Sequence, residues 1–229
     1  MKPHNPLYYR WKGKLLHSGI HILSHMRLLI RWTFFSVLTG SIMGLIGVAF
    51  VYCIQSVTTL RTHFVWMPLT LPLGGLLIVW LYRISHDQND KGTNMVLASL
   101  RSEAELPVQM APMIFISTII THLCGGSAGR EGAALQLGGS VGNLLGRLFR
   151  LSERDVRVMI LCGMSAAFSA IFRTPIAAAV FAMEVGCVGA MQYAALVPCT
   201  ISSLTASYLA SKLGIPLAHF SVTKVPGLH

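Results

Sequence analysis

The sequence predicts an all-α membrane protein built from tilted, short and broken transmembrane helices, and three observations carry that expectation. Of the 229 residues, 53% are apolar and only 11% charged, with a mean hydropathy of +0.62, whereas a soluble domain carries about 25% charged residues. Apolar runs long enough to cross ~30 Å of hydrocarbon recur along the chain. Proline or glycine interrupts several of them, and lipid tolerates such breaks only where other protein or a cavity satisfies the freed backbone groups. The net charge of +10 would suggest nucleic acid in a soluble chain, but no basic stripe is interleaved with aromatics. No nucleic-acid partner is therefore expected.

Taken in order, residues 1–32 read as a cytoplasmic basic tail and interfacial helix. Met1 to Arg10 hold two prolines and little periodicity, so a loose tail precedes a helix from about Trp11 to Arg31 that lies at the membrane surface. Lys2, Arg10, Lys12, Lys14, Arg27 and Arg31 occur there without an acid, a bias that places the N-terminus in the cytoplasm. His17, His21 and His25 fall at i, i+4 and i+8 on one helical face. They could in principle hold a transition metal, but no Cys, Asp or Glu joins them, and an interfacial polar stripe is the preferred reading. No metal or other cofactor is expected.

The membrane domain is expected over residues 33–213. Thr33 to Leu60 exceeds the ~20 residues a span needs and should cross at a tilt; it starts too far into the chain for a cleaved signal peptide. Gly40, Gly44 and Gly47 mark its packing face. Pro68 and Pro72 open a second span to about Ile84, so the Arg61/His63 loop falls outside and residues 83–105 return inside. The polar run from Ser85 leads to a short helix, Met95 to Arg101, with Asn94 as its N-cap. Met110 to Cys124 is apolar but short for a full span and reads as a segment buried among other helices.

Gly125-Gly-Ser-Ala-Gly-Arg-Glu-Gly132 follows, a glycine-dense turn with one acid between apolar stretches. A carboxylate at membrane depth is costly and marks function, so Glu131 is the leading candidate residue. The glycines let backbone N–H groups approach a ligand, and the helix over Ala133 to Leu148 aims its positive end at the same place. The combination reads as an anion site with an acid standing in it. Gly138, Gly142 and Gly146 form a packing stripe. Arg147, Arg150, Arg154 and Arg157 mark a polar connection that the charge rule places inside. The next apolar stretch is broken at Arg173-Thr-Pro175 into a helix pair ending near Glu184. Another segment, about Ala190 to Leu213, carries Pro198, and residues 214–229 form a polar C-terminal segment. Cys53, Cys124, Cys162, Cys187 and Cys199 lie in apolar runs without C-x-x-C spacing, so they are expected as small core residues rather than disulfide or zinc partners.

Three of these stretches together resemble the CLC family of chloride channels and proton-coupled anion exchangers. Gly129-Arg-Glu-Gly132 with Leu135-Gln-Leu-Gly-Gly-Ser-Val-Gly142 is similar to the family's gating-glutamate motif. Cys162-Gly-Met-Ser-Ala-Ala-Phe168 through Arg173-Thr-Pro-Ile-Ala-Ala178 and Ala182-Met-Glu184 is similar to the helix pair that follows it. Gly92-Thr-Asn-Met95 stands where the family carries its first anion-binding glycine motif. The resemblance spans roughly residues 33 to 212 and implies a CLC-like N-terminal half. It makes Glu131 the gate and proton-handling residue, and Gly92, Thr93, Asn94, Met95, Gly129, Arg130 and Gly132 the anion-binding residues. Thr93 would replace an anion-coordinating serine.

Departures from the family pattern sharpen what the resemblance implies. Gly-Thr-Asn-Met without proline is closer to the bacterial fluoride-exporting branch than to chloride-selective members, and Ala133 stands where many members have proline. Val185 occupies the place of the exchangers' inner proton-transfer glutamate, so protons take another route or the protein is a channel. Glu184 matches a common family position of structural character. Members have two inverted halves, and no Gly-x-Phe-x-Pro, the second-half motif, occurs in this sequence.

The resemblance thus implies transport of chloride or fluoride, with protons if the protein is an exchanger. It also implies contact with membrane lipid, a homodimer in the complete form, and residence in a bacterial inner membrane. Two alternatives stand beside it. One is a truncated, non-transporting membrane subunit. The other is an intramembrane serine protease, for which Gly125-Gly-Ser127 would supply the nucleophile; Ala128 replaces that motif's last glycine, and His122 lies on the same segment rather than another buried helix.

Overall fold

A computed structural model of the chain describes residues 6–64, 66–85, 92–101, 106–186 and 192–215, with side chains from residue 26 onward. Every regular element among them is helical: α1 (Pro6–His63), α2 (Leu71–Ile84), α3 (Thr93–Arg101), α4 (Met110–Leu123), α5 (Arg130–Leu148), α6 (Glu153–Phe172), α7 (Pro175–Gly186) and α8 (Leu196–Lys212), with 3₁₀ turns leading into α2 and α8. Residues 86–91, Cys187 and the tail from residue 216 lie outside the described residues, as do the side chains of His17, His21 and His25.

The first element differs from the sequence reading. Instead of a loose tail, a surface helix and then a span, one helix runs unbroken for 58 residues from Pro6, about 87 Å at 1.5 Å per residue. Proline suits a first helical position, where its missing N–H needs no partner. No later proline interrupts the run, so the basic segment and the apolar segment share one helix.

Among the described residues, four stretches are long and apolar enough to cross a membrane: Met26–His63, Met67–Ile84, Glu153–Phe172 and Tyr193–Lys212. They differ in what surrounds them. The apolar window of α6 is 72% buried within the fold, that of the Met67–Ile84 stretch 6%. α6 is therefore the axis of the bundle, with α5, α8, α1 and α7 packed around it, while α2 touches little besides α4. Leu73, Leu76, Val79 and Trp80 on α2 are exposed, as suits a helix whose neighbour is lipid. α4 and α7, at 14 and 12 residues, are shorter than a full crossing.

Lipid tails are as apolar as leucine, so what holds such helices together is close approach and hydrogen bonding rather than water exclusion. Both glycine stripes serve that purpose. Gly138 and Gly142 on α5 face Gly163 and Met159 on α6 so closely that a Cβ on any of the three glycines would overlap the facing helix's backbone. Gly40, Gly44 and Gly47 seat α1 against Ser202, Leu209 and Ala170. Serine hydroxyls join α6 to α8: Ser165 donates to the Cys199 carbonyl (2.9 Å), Ser169 to the Ser203 carbonyl (2.7 Å), and Ser202 back to the Cys162 carbonyl (3.0 Å). Cys124, Cys162 and Cys199 are buried and Cys53 half-buried, the core role the sequence suggested for the described cysteines.

The predicted break is present. α6 stops at Phe172 and Arg173 turns left-handed (φ 59°), its N–H donating to the Ser169 carbonyl. Its guanidinium Nη1 donates to the Ile215 carbonyl at 2.7 Å, tying down the chain after α8. Pro175 then starts α7. At the other end of the bundle, Arg31 pairs with Asp155 at 3.1 Å and Phe35 stacks on Phe149 at 5.2 Å. The connection between α5 and α6, rich in arginine, thus stands level with Arg31 on α1.

Candidate functional site

The starts of α3 and α5 are far apart in sequence and adjacent in space. Gly92 adopts φ +61°, a conformation glycine reaches without steric cost, and Met95 N–H closes the first turn onto the Gly92 carbonyl (3.0 Å). α3 therefore begins at Thr93. Asn94 is inside the first turn and exposed, not the N-cap expected from the sequence, because the glycine turn itself redirects the chain and starts the helix two residues earlier.

α5 likewise starts before Ala133. Gly129 is extended (φ −69°, ψ 131°) and the helix opens at Arg130, with Glu131 the acid in its first turn. A carboxylate there is favoured by the positive helix end, an effect on the order of 0.3–1 kcal/mol at exposed positions. Neither Gly92 nor Gly129 has a capping side chain, so a backbone rather than a side-chain group shapes each helix start, leaving N–H groups for whatever approaches.

The two starts touch through Gly132, where a Cβ would lie 3.1 Å from Thr93 Oγ1. Gln136, one turn further along α5, donates from Nε2 to Thr93 Oγ1 at 3.2 Å. Below them Val96 packs into Gly139, and Arg101 at the far end of α3 donates from Nε to the Gly186 carbonyl of α7 at 2.9 Å. α3 is thereby fixed at both ends.

Of the expected site residues, Gly92, Thr93 and Gly132 are thus brought together, with Gly129, Arg130 and Glu131 on the adjoining turn. Met95 packs against the core formed by α3, α5, α6 and α7, and Asn94 makes no described contact with the cluster. Glu131, Arg130 and Gly129 are exposed. Arg130 lines a separate cavity of about 500 Å³ with Arg61, His122, Gln55, Thr58 and Ser127, among others. That cavity lies where α1 ends and the glycine turn packs on Pro68 and Leu71, the end of the bundle away from Arg31. Val185 is half-buried against the same core as Met95, and Glu184 is exposed.

Two contributors went unnoticed in the sequence. Gln136 is one of two buried amides on α5, with Asn143, and its i+4 spacing from Gly132 was the available signal. The Arg61–His122–Arg130 grouping had none, since it joins three separate elements.

The fold and these converging helix starts define an all-α membrane protein whose polar chemistry is gathered at helix N-termini. Comparison with known proteins identifies the family. Residues 74–227 match the family model described as voltage gated chloride channel. A "Chloride/fluoride channel protein" of Pseudomonas syringae pv. tomato is 32% identical over 196 residues, covering 85% of this chain and 43% of that protein. An "H(+)/Cl(-) exchange transporter ClcA" of Citrobacter koseri is 31% identical over 163 residues, covering 63% and 34%. A crystal structure of a CLC-type fluoride/proton antiporter superimposes with a TM-score of 0.78 at 33% identity, covering 88% of this chain and 51% of that one. The chain belongs to the CLC family of voltage-gated chloride channels and their transporter relatives, a family of channels and transporters rather than enzymes. It spans less than half the length of these curated relatives.

Proposed function

We propose that residues 33–213 supply the first half of a transmembrane pathway for chloride or fluoride in a CLC-type channel or anion/proton antiporter. Glu131 is its gate, the carboxylate occupying an anion position and leaving when protonated or displaced. Gly92, Thr93, Gly129, Arg130 and Gly132 supply the donors and the positive helix ends that replace part of the anion's hydration shell. The observation that carries this reading is the contact of the α3 and α5 starts through Gly132, Thr93 and Gln136. A single carboxylate in the first turn of one of them completes a site suited to an anion that competes with an acid.

The family's names for its members support a halide and, in the exchangers, protons. The protein resides in a bacterial inner membrane, contacts lipid through faces such as that of α2, and is a homodimer in its complete form. The arginine-rich end of the bundle, with Arg31, Arg150 and Arg154, faces the cytoplasm by the positive-inside rule, which places residues 1–32 there as well; residues 214–229 form a polar C-terminal segment.

The test is halide efflux from liposomes holding the full product of the gene, with and without a proton gradient. Glu131→Gln keeps the side chain's shape but can neither compete as an anion nor carry a proton, so pH-dependent gating or proton coupling should vanish. Unchanged coupling would reduce Glu131 to a structural role. A second reading, a non-transporting subunit, draws on the exposure of Glu131 and on the short α4 and α7. Both readings require that residues 1–229 alone pass no halide selectively; selective efflux from that chain alone would overturn both and show a pore assembled by self-association.

A further inference from the structure

Thr93 and Gln136 form a hydrogen-bonded pair across the two helix starts. Gln136 is only 6% exposed, lies on the Gly132 face of α5, and places its Nε2 3.2 Å from Thr93 Oγ1 and 3.2 Å from where a Cβ on Gly92 would stand. Its Oε1 is buried and has no hydrogen-bond partner among the described residues. A buried amide that spends its NH₂ on a neighbour at the meeting point of two helix N-termini points to a ligand; its empty end is an acceptor as assigned, so the Thr93 hydroxyl is the group that can meet an anion.

The chemistry of the pair says which kind. A threonine hydroxyl has one hydrogen and two acceptor lone pairs. Within a helix that hydrogen goes to a carbonyl of the preceding turn, as Thr58 and Thr205 do here. Thr93 is the first residue of α3. Gln136 donates into its oxygen, so the hydroxyl hydrogen is left for another acceptor. The amide can also be turned over, since oxygen and nitrogen are equivalent in shape. Thr93 would then donate to Oε1, and the Gln136 NH₂ would become the free donor. Either way the pair keeps two hydrogens to give: the hydroxyl and one N–H as assigned, or both N–H groups once the amide is turned over. The acid nearest Gln136 in the sequence is Glu131, five positions before it, and the acid nearest Thr93 is Asp90, three positions before it.

We infer that Gln136 is a positioning residue for halide binding, acting through Thr93 to hold a hydrogen-bond donor toward the anion at the α3 and α5 starts. This rests on the proposed function of the site and adds to it a residue that reaches the ligand from α5's second turn.

The test measures chloride and fluoride affinity of the full gene product, by calorimetric titration with the sodium salts and by the half-saturating concentration and maximal rate of efflux. Gln136→Met keeps volume without a donor and should weaken halide binding about tenfold, as expected for loss of an oriented hydrogen bond to an anion. Thr93→Val should do the same, and the double variant should bind no more weakly than Thr93→Val alone. If Gln136→Met does not fold, Gln136→Glu in a Glu131→Gln background replaces it: affinity should be poor at neutral pH and recover as the introduced carboxyl is protonated. Equal losses from Gln136→Met with and without Thr93, or a lowered melting temperature with unchanged affinity, would overturn the inference. A wild-type protein that binds neither halide would instead overturn the anion site itself.

Discussion

Gly163→Ala is the substitution that best tests how this bundle is held together. A Cβ at Gly163 would overlap the Gly138 carbonyl oxygen, and would lie 2.9 Å from the Gly138 carbonyl carbon and 3.1 Å from Gly142 Cα. All three atoms are backbone, so no side chain can rotate away. Carbon atoms rest about 3.5–4.0 Å apart, which means α5 and α6 must separate by roughly 1 Å along the most extensive interface of the fold. Overpacking usually costs about 1–3 kcal/mol, and here the shift also loosens the dispersion contacts of Ala134, Leu137 and Ala167, so about 3 kcal/mol or more is expected. The control is Gly75→Ala on α2, where nothing lies within 4 Å of the added methyl and helix propensity favours alanine by about 0.5–1 kcal/mol. Thermal unfolding in detergent, followed by tryptophan fluorescence or helical circular dichroism, compares the two. A fall in melting temperature for Gly163→Ala beside an unchanged or raised value for Gly75→Ala is the expected result. Equal shifts would refute the view that backbone contact between α5 and α6 holds the fold.

Two further substitutions probe the site and the arginine-rich end. Gly92→Ala places a Cβ where φ is +61° and 3.2 Å from Gln136 Nε2, so stability should fall by about 1–2 kcal/mol and halide affinity should fall with it; a variant as stable as wild type would show that α3 does not need this turn. Arg31→Gln removes an ion pair whose side chains are 45% and 28% exposed. Its cost should stay below about 1 kcal/mol and shrink with added salt, and a larger, salt-independent loss in the same unfolding assay would mean that Arg31 does more than pair with Asp155.

Much of this molecule was legible in its residues because the signals were local. Pro68 and Pro72 lead into α2, Pro175 follows the break at Arg173, and the apolar run from Met110 ends at Cys124, since proline and glycine act on the backbone where they stand. The two glycine stripes were legible as packing faces for the same reason. Local signals misled where a neighbour's geometry replaced them. Asn94 looks like an N-cap, but the positive φ of Gly92 starts α3 two residues earlier than expected. The basic and apolar parts of α1 look like two helices, yet nothing between them breaks the hydrogen-bond ladder.

By itself, then, the sequence determined a helical membrane protein, the positions of its breaks, the glycine-led motifs at Gly92 and Gly129, and the acid beside them. Those follow from transfer free energy and backbone stereochemistry, which depend on each residue and its immediate neighbours. Only the tertiary structure decided that Gly138 meets Gly163, that α6 is the axis, that Arg31 stands beside Asp155, and that Gln136 reaches across to Thr93. Each of these is a contact between segments distant in sequence. Such contacts are set by which small residues allow two backbones to approach and which buried polar atoms must find one another, conditions that no single stretch of sequence contains.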